Sequence, residues 1–558
     1  MPKRILVSFL LGFASLAAAQ GSSGTPTSGR PIPPGEACYD VLHYELSVSV
    51  DPEEKRIDGE VTMTARLLEP TDEIVMDLDD RLQVDRVSLV DAEDAEADLR
   101  YEHTKGEIRI GTKGASAIEP GGTFRIRVRY GGIPREAPNP PWDGGFQWAK
   151  TPSGAHWIAT TNQMQGADLW WPCKDQPDDE PETMDIFVRV PAGLVGVSNG
   201  RPVGMVEDVD DGWTTWDWHV STPINIYGVA LDIAPYRTIT RNYESTAGDT
   251  FPVTYWVIPE HYEKGKELFE DLLRQLRWFE ETFGPYPFRR DKYGVVETPH
   301  LGMEQQTVTA YGNNYRGNPW GAERGFDFLL HHEMAHEWWA NLVTARNWKD
   351  FWIHEGFATY AQALYAEALG GPEAYRGVIA EDRAGIKNRG PVAPREPQST
   401  ADVYFGPAGN DIYYKGALAL HTLRYLLGDE TFFRALRRMA YPDPELEGRT
   451  DGSACRFSDT EEIRRIAEEE SGRDLGWFFE VYLRRAALPR LEAQRRGREL
   501  RLRWQAPDDL LFPMPVELEI DGERTRVAVP DGGAAVDLGS DGAELTIDPD
   551  QWILKENS

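Results

Sequence analysis

Residues 332–336 have the sequence His-Glu-Met-Ala-His, and a further acidic residue, Glu355, follows nineteen residues after the second histidine. Positions i and i+4 of a helix lie one above the other, so His332 and His336 can reach a single metal ion. Glu333 lies beside them, where it can hold a water on that ion without being a ligand. Two neutral imidazoles and one carboxylate suit Zn2+, and a catalytic zinc site keeps a fourth position open. The stretch therefore predicts a helical metal-binding domain with one Zn2+ on His332, His336 and Glu355.

A five-residue pattern of this kind also arises by chance. The alternative is a pair of hydrogen-bonded core histidines and a solvated helix carboxylate at Glu355. A turn and helix of that length can bring Glu355 back over the first helix, which favours the zinc site. His331 and His354 have no spacing that requires them as ligands, and we expect both to pack around the site. Glu337 is a candidate acceptor for the second N–H of a ligand imidazole, or a plain polar helix residue.

The sequence around this stretch is typical of helices. Apolar residues recur at helical spacing and stop before Gly284-Pro285, at Leu268, Leu272, Leu276 and Phe279. A helix ends at such a Gly-Pro pair. Helical patterns continue to about residue 485, and residues 458–461, Ser-Asp-Thr-Glu, resemble a capping box. These patterns predict a mainly helical catalytic domain at 241–486.

Alternating apolar and polar residues predict β structure on both sides of the helical part. Before it, one such run contains Tyr44, Leu46, Val48 and Val50, and another contains Phe124, Ile126, Val128 and Tyr130. After it, the strand at 516–520 leads through Asp521-Gly522 into a second strand at 525–529. A two-residue Asp-Gly connection is a hairpin signal. We therefore expect β domains at 38–240 and at 487–558.

Length and charge limit the classes of protein to consider. A chain of 558 residues is too long for one hydrophobic core, so several domains are expected. The formal net charge is −33, from 59 basic and 92 acidic residues. Such a surface repels phosphate backbones and anionic lipid, which disfavours nucleic acid and membrane surfaces as partners. It is compatible with a cationic ligand such as the ammonium end of a peptide.

The N-terminus resembles a secretory signal peptide. Lys3 and Arg4 precede an apolar run at 5–16, and the small residues 17–19 precede Gln20. A membrane anchor is the alternative, but the run is shorter than the ~20 residues that span a bilayer. We expect a signal peptide at 1–19, a flexible linker at 20–37, and a periplasmic or secreted protein without a stable membrane anchor.

The chain has three cysteines, Cys38, Cys173 and Cys455. None belongs to a C-x-x-C pair, which disfavours a thiolate zinc site. Export permits one disulfide, but the sequence does not give its pairing.

Further motifs occur in order along the chain. Residues 163–166 are Gln-Met-Gln-Gly, 171–175 are Trp-Pro-Cys-Lys-Asp, 302–306 are Gly-Met-Glu-Gln-Gln, and 413–416 are Tyr-Tyr-Lys-Gly. Together with His-Glu-x-x-His and its downstream Glu, they resemble the motifs of the gluzincin aminopeptidases of the aminopeptidase N type. The resemblance covers most of the chain to about residue 485. It implies an α+β multidomain fold with an N-terminal antiparallel, saddle-like β domain, a thermolysin-like catalytic domain and a small C-terminal β-sandwich.

The resemblance also implies roles in a zinc-dependent aminopeptidase. Zn2+ would polarise the scissile carbonyl and activate a water, with Glu333 as general base and then general acid. Tyr413 would hydrogen-bond the oxyanion, leaving Tyr414 as a packing residue. The substrate would be a peptide with a free N-terminus, bound by the residues Glu304, Gln165, Gly302 and Met303, with Glu304 on the α-ammonium.

This chain departs from the family pattern at three positions. Gln305 replaces an Asn, Tyr414 replaces a Glu, and His354 replaces an Asn, none of which is a reacting group. The family's large helical C-terminal domain has no counterpart after residue 486, from which we expect a more open cleft. Two alternatives stay open: an epoxide hydrolase or broader oligopeptidase on the same scaffold, and a non-catalytic binding protein. The sequence does not give the oligomeric state.

Overall fold

The structure is a computed structural model that describes residues 28–113, 118–163 and 166–556. The predicted signal peptide at 1–19 and Gln165 lie outside the described residues. Within these ranges, none of the helices has both the length and the apolar character that crossing a membrane requires.

The first part of the chain is a β region, as the alternating patterns predict. In chain order its elements are α1 (Pro34–Ala37), β1 (Tyr39–Asp51), β2 (Arg56–Leu67), β3 (Glu73–Asp77), β4 (Leu82–Val90), β5 (Glu96–Asp98), β6 (Arg100–Thr104), β7 (Glu107–Gly111), β8 (Thr123–Gly132), β9 (Gly145–Lys150), β10 (His156–Thr161), β11 (Thr183–Pro191), β12 (Val195–Val197), β13 (Arg201–Asp208), β14 (Trp213–Val220) and β15 (Asp232–Ala234).

These strands form three sheets. The largest has the order β13-β14-β11-β1-β2-β8-β4-β5, and smaller ones have the orders β12-β15-β10-β9 and β3-β7-β6. The predicted antiparallel arrangement holds for the neighbouring pairs except one, because β1 pairs with β11 in parallel from His43 opposite Thr183 to Ser49 opposite Arg189. Parallel neighbours need a long crossover, and here most of the β region lies between the two strands.

The structure differs from the predicted flexible linker over 28–37. Ser28 is 3% exposed and accepts a hydrogen bond from Trp348 Nε1. Arg30 lies 2.6 Å from Glu36 and 2.7 Å from Asp77 in an ion pair at the end of α1. This segment is held against the folded chain because the Arg30 guanidinium pairs with two buried carboxyl groups.

The second part of the chain combines one sheet with helices. In chain order its elements are β16 (Arg237–Glu244), β17 (Thr250–Val257), α2 (Tyr262–Phe283), β18 (Tyr293–Glu297), β19 (Gly302–Met303), β20 (Thr309–Tyr311), α3 (Phe328–Ala335), β21 (Val343–Ala345), α4 (Trp352–Gly385), α5 (Thr400–Phe405), α6 (Asp411–Leu427), α7 (Asp429–Ala440), β22 (Arg456–Ser458), α8 (Thr460–Ser471) and α9 (Gly476–Leu483).

Strands β16-β17-β18-β20-β19 form one sheet with β19 at its edge. Since β16 begins at Arg237, this sheet starts just inside the predicted N-terminal domain, 38–240. Helix α2 ends at Phe283 with Gly284 as its C-cap, as predicted. The predicted capping box at 458–461 is wrong by one residue, because Asp459 is the N-cap of α8 and accepts from the N–H of Glu462.

Helices α4 and α6 cross at two glycines. A Cβ on Gly356 would lie 3.0 Å from the Cα of Gly416, and a Cβ on Gly416 would lie equally close to the Cα of Gly356. Because neither position has room for a side chain, the two backbones touch. This crossing brings Glu355, at the start of α4, next to Tyr413, at the start of α6.

The last part returns to strands: β23 (Arg490–Arg496), β24 (Glu499–Gln505), β25 (Val516–Ile520), β26 (Glu523–Val527), β27 (Gly533–Asp537) and β28 (Leu545–Ile547). They form two sheets with the orders β23-β24-β27 and β26-β25-β28. The predicted hairpin is confirmed, with positive φ at both Asp521 and Gly522. Apolar residues of these strands, such as Leu502 and Leu518, belong to the same core as the helices.

Candidate functional site

His332, His336 and Glu355 meet at one point and are called the His-Glu cluster below. His332 Nε2 lies 3.2 Å from Glu355 Oε2, His336 Nε2 lies 3.5 Å from the same oxygen, and the two ring nitrogens lie 3.3 Å apart. Each side chain offers one ligand atom to this group. The i, i+4 spacing at the end of α3, where His336 is the C-cap, and the return of α4 therefore bring together the three residues that the sequence predicts as metal ligands.

The geometry of the His-Glu cluster fits Zn2+. Ligand atoms about 2.0–2.1 Å from a tetrahedral Zn2+ lie about 3.3–3.4 Å from one another, close to the three observed separations. His336 Nδ1 donates to the carbonyl oxygen of Trp339 at 3.0 Å, which leaves the lone pair of Nε2 for a metal. Glu337, one of the two alternatives for that position being an acceptor of such an N–H, does not take the N–H of His336, and its carboxylate accepts from the N–H of Thr307 at 2.7 Å.

The two oxygens of Glu355 have different partners. Oε2 faces the two imidazoles, whereas Oε1 accepts from Tyr404 Oη at 3.2 Å and from Gln163 Nε2 at 3.3 Å. Burial raises the pKa of this carboxyl, but its close contacts with the imidazoles of His332 and His336 outweigh burial and bring the pKa below its usual range. Glu355 is thus an ionised carboxylate with one oxygen fixed by neutral donors and the other directed at the imidazoles.

The surroundings of His336 favour positive charge. Burial lowers the pKa of His336, but its contact with Glu355 and the charges of Glu304 and Glu333 raise that pKa to about 10. His336 also forms a second group of possible metal ligands with Glu304 and Glu333. A cation at this point is therefore attracted by three carboxylates.

The side chain of Glu333, on α3, lies against the edge strand β19. It is 7% exposed, and burial raises the pKa of its carboxyl well above the usual value, with further upward shifts from the charges of Glu304 and Glu355. A Cβ on Gly302 would lie 2.6 Å from Glu333 Oε1. Gly302 is therefore needed for Glu333 to lie against the backbone of this strand.

Glu304, Gln163 and Tyr227 form a second group, called the Glu304 cluster below. Glu304 is 2% exposed, and its Oε1 accepts from Tyr227 Oη at 3.1 Å and Gln163 Nε2 at 3.3 Å. Burial raises the pKa of Glu304, while the charge of His336 lowers it. Gln163 joins the two clusters, because the same amide nitrogen also donates to Glu355.

The remaining predicted substrate residues lie along β19. Gly302 and Met303 pair with Tyr311 and Ala310 of β20, and no strand of the described ranges pairs with the other edge of this short strand. The side chain of Met303 is 1% exposed and packs in the core, so only its backbone can face a substrate.

Tyr413 lies beside the His-Glu cluster, whereas Tyr414 packs elsewhere. The ring of Tyr413 faces that of His332 at an interplanar angle of 26°, with centroids 6.0 Å apart. Burial raises the pKa of the Tyr413 hydroxyl well above its usual value, and the charge of Glu355 adds to the shift. A Cβ on Gly385 would meet the ring of Tyr414, so this ring packs against the end of α4.

The structure adds three residues that the predicted site lacks: Gln163, Tyr227 and Tyr404. Gln163 stands in the quoted motif at 163–166 and that motif could have identified it. Tyr227 and Tyr404 carry no such signal, because their contacts with Glu304 and Glu355 join segments far apart in sequence. His331 packs among aromatic rings, as expected, and neither of its ring nitrogens has a hydrogen-bond partner among the described residues.

The three cysteines are free, with Cys38 and Cys173 buried and Cys455 partly buried. No pair of them forms a disulfide.

Two family domains match this chain. The Peptidase family M1 domain matches residues 267–441, and the Peptidase M1 N-terminal domain matches residues 41–227. Together the two matches cover more than half of the chain. The first includes the His-Glu cluster, Glu333, Glu304 and Tyr413, and the second includes Gln163 and Tyr227.

Curated relatives carry aminopeptidase names. Aminopeptidase N of Streptomyces lividans is 27% identical over 354 residues, which are 60% of this chain and 39% of the relative. Aminopeptidase N of Haemonchus contortus is 25% identical over 454 residues, which are 72% of this chain and 44% of the relative. The chain therefore spans less than half of the length of these relatives. Their names do not favour the alternative that the chain is an epoxide hydrolase.

A solved structure covers the same architecture. The M1 zinc metallopeptidase from Deinococcus radiodurans is 25% identical and matches with a TM-score of 0.64, over 81% of this chain and 96% of that one. The predicted fold class is confirmed in its main parts, an N-terminal β-rich domain followed by a helical catalytic domain.

Proposed function

Because this chain belongs to peptidase family M1, we propose that it is a zinc-dependent aminopeptidase that releases the N-terminal residue of peptides. One observation carries the proposal: ligand atoms of Glu304, Glu333 and His336 lie within 4.8 Å of one another. A carboxylate that binds the α-ammonium so close to the general base leaves room for one residue before the scissile bond.

The His-Glu cluster would hold the metal. When bound to His332, His336 and Glu355, Zn2+ supplies Lewis-acid polarisation of the scissile carbonyl and lowers the pKa of a bound water to about 7. The Nδ1–H of His336 on the Trp339 carbonyl and the two donors on Glu355 Oε1 keep the ligand atoms oriented.

Glu333 would move the proton. Burial and the nearby charges of Glu304 and Glu355 raise the pKa of its carboxyl, which makes it a stronger base than an exposed Glu. In this role Glu333 takes a proton from the attacking water and delivers it to the leaving amine, so that the same residue is general base and then general acid.

Tyr413 and Glu304 would act on the two sides of the scissile bond. A hydroxyl that stays protonated can donate to the developing oxyanion, and burial ensures this for Tyr413 by raising its pKa. Glu304, held by two donors on Oε1, would pair with the α-ammonium of the first residue. Gln165 is proposed as a further acceptor for that amine, on the sequence motif alone.

The organisation of the whole chain is also a proposal. We propose that residues 1–19 direct export and that 38–240, 241–486 and 487–558 are domains of a periplasmic or secreted enzyme. The basic start and apolar run of the first segment support export, and the sheets and helices support the domain order. The acidic net charge gives no support for a nucleic-acid partner.

The test uses aminoacyl-fluorogenic substrates and a short peptide. We expect the zinc-loaded enzyme to release single residues from the peptide's N-terminus, to lose activity with a chelator, and to regain it with Zn2+. Release of internal fragments, or activity unaffected by metal removal, would contradict the proposal.

A further inference from the structure

Tyr227 connects the N-terminal β region to the Glu304 carboxylate. Its hydroxyl oxygen lies 3.1 Å from Glu304 Oε1 and 3.4 Å from His354 Nδ1. Tyr227 is 2% exposed and His354 is 0% exposed, so both contacts are shielded from solvent. The direction of these hydrogen bonds determines whether the Tyr227 hydroxyl donates its proton to Glu304.

A backbone amide determines which nitrogen of His354 carries the proton. The N–H of Ala345, in β21, donates to His354 Nε2 over 2.8 Å. A ring nitrogen that accepts a hydrogen bond carries no proton, so the proton of the imidazole is on Nδ1. The same contact excludes the imidazolium form, in which both nitrogens are donors. His354 Nδ1–H therefore faces the Tyr227 hydroxyl as a donor.

This direction leaves one acceptor for the Tyr227 proton. The hydroxyl oxygen accepts from His354, and the hydroxyl proton goes to Glu304 Oε1. A hydrogen bond donated to a carboxylate stabilises its ionised form and fixes the oxygen that accepts it. Since Gln163 donates to the same oxygen, Oε1 receives two donors from the N-terminal β region.

Packing holds the Tyr227 ring in this orientation. The ring is nearly parallel to that of His354, at 13°, and meets the Trp348 ring edge to face with centroids 5.3 Å apart. The N–H of Tyr227 also bonds to the side chain of Asn225 at 3.2 Å. A donor that is already fixed loses little conformational entropy when a ligand binds.

We propose that Tyr227 and His354 are positioning residues that set the affinity of Glu304 for the α-ammonium group of the substrate. The inference rests on the proposed function, because it requires Glu304 to bind that group. It gives the N-terminal β region a part in the selection of free amino termini. It also gives His354, which stands where the resembling family has Asn, a role beyond packing.

The test compares Tyr227→Phe with Tyr236→Phe. Tyr236 is a matched control, since it is a buried tyrosine of the same region whose hydroxyl donates to the carbonyl of Glu297 at 2.8 Å. We expect Tyr227→Phe to raise KM for aminoacyl substrates about tenfold, with kcat within about twofold and zinc content unchanged. Tyr236→Phe should leave KM unchanged. Equal KM values for wild type and Tyr227→Phe would overturn the inference.

A double-mutant cycle tests whether His354 acts through Tyr227. His354→Phe keeps a ring of similar size but removes the Nδ1–H donor. We expect it to raise KM less than Tyr227→Phe does, and the double variant to match Tyr227→Phe alone. Two independent, additive effects would overturn the role of His354. Zinc content of each variant shows that the neighbouring ligand Glu355 is undisturbed.

Direct binding separates this inference from the proposed function. Calorimetry with leucinamide measures ammonium binding to the zinc-loaded protein without any reaction. If wild type binds leucinamide but cleaves no peptide, the proposed function fails, and about tenfold weaker binding by Tyr227→Phe still supports the positioning role. If wild type binds no leucinamide, Glu304 holds no ammonium and the inference fails as well.

Discussion

The His-Glu cluster and the Glu304 cluster lie side by side but come from the chain in different ways. His332 on α3, His336 at the C-cap of α3 and Glu355 on α4 come from two consecutive helices, whereas Glu304, Gln163 and Tyr227 come from three separate segments. In the first cluster, two ring nitrogens and one carboxylate oxygen, each with a lone pair for a metal, lie 3.2–3.5 Å from one another. In the second, donors surround one carboxylate oxygen.

The two clusters therefore have different functions, which are metal binding and substrate selection. Converging lone pairs need a cation, so changes in the His-Glu cluster should affect metal binding. A carboxylate held by neutral donors selects a cationic ligand, so changes in the Glu304 cluster should affect substrate choice. Glu333 and Tyr413 lie next to the first cluster and should affect the chemical step alone.

The largest effect is expected for Glu333→Gln. The amide cannot take a proton from water, so kcat should fall about 10³-fold or more, while zinc content stays at that of wild type. Metal analysis and steady-state kinetics check this result. A variant that keeps its activity would show that Glu333 is not the base.

Tyr413→Phe should lower kcat by about 10²–10³-fold, because one donor to the developing oxyanion is lost. Tyr414→Phe is its control, since that ring packs against Gly385 and should keep wild-type kinetics. Kinetics of both variants distinguish the adjacent tyrosines. If Tyr414→Phe were the inactive variant, the assignment would be reversed.

Glu304→Gln should lower kcat/KM for substrates with a free amine by about 10²-fold, because a buried charge partner of the ammonium is removed. Acetylated substrates should be unaffected, so the two classes become similar. Zinc content should not change, in contrast to the loss expected for His336→Ala. A parallel loss for both substrate classes would place Glu304 in the chemical step instead.

Tyr404→Phe should weaken Zn2+ binding by about tenfold, since its hydroxyl fixes Glu355 Oε1 from outside the metal. Competition with a chromophoric chelator measures the affinity. Unchanged affinity would show that Gln163 alone is enough to hold that oxygen.

Asp232→Asn should have the smallest effect and concerns stability. Asp232 is 0% exposed, and within the part of the chain that the structure describes neither of its carboxylate oxygens has a donor. Burial raises its pKa well above the usual value. Below about pH 4 the group is protonated in the folded and the unfolded chain. As the pH rises, only the unfolded chain releases the proton, so wild type loses stability.

Asp232→Asn has no ionisable group at this position and does not lose stability in this way as the pH rises. Its Tm should match wild type near pH 4 and exceed it by a few degrees at pH 8, as calorimetry would show. A Tm difference that is the same at both pH values would contradict the account. The contrast with Glu355, a carboxylate equally buried but supplied with donors, would then need another explanation.

The sequence predicted correctly those structural features that depend on residues close together in the chain. The i, i+4 histidines, the end of α2 at Gly284 and the hairpin at Asp521-Gly522 follow from short-range geometry and are present in the structure. The cap of α8 lies one residue later than predicted, because Ser458 is the last residue of strand β22 and Asp459 supplies the capping oxygen.

Contacts between distant segments were not predictable from spacing. The parallel pairing of β1 with β11, the crossing at Gly356 and Gly416, and the donation from Tyr227 to Glu304 each join residues far apart in sequence. The motif at 302–306 marked Glu304, but nothing local marked the tyrosine that orients it. Packing of the N-terminal β region against the catalytic part determines that contact.

The most direct measurement is the ratio of kcat/KM for a tripeptide with a free amino terminus to that for its acetylated form, on the zinc-loaded enzyme. An ammonium held by Glu304 predicts a ratio of about 10² or more in wild type and a ratio near one in Glu304→Gln. Equal cleavage of both peptides by wild type would contradict the account.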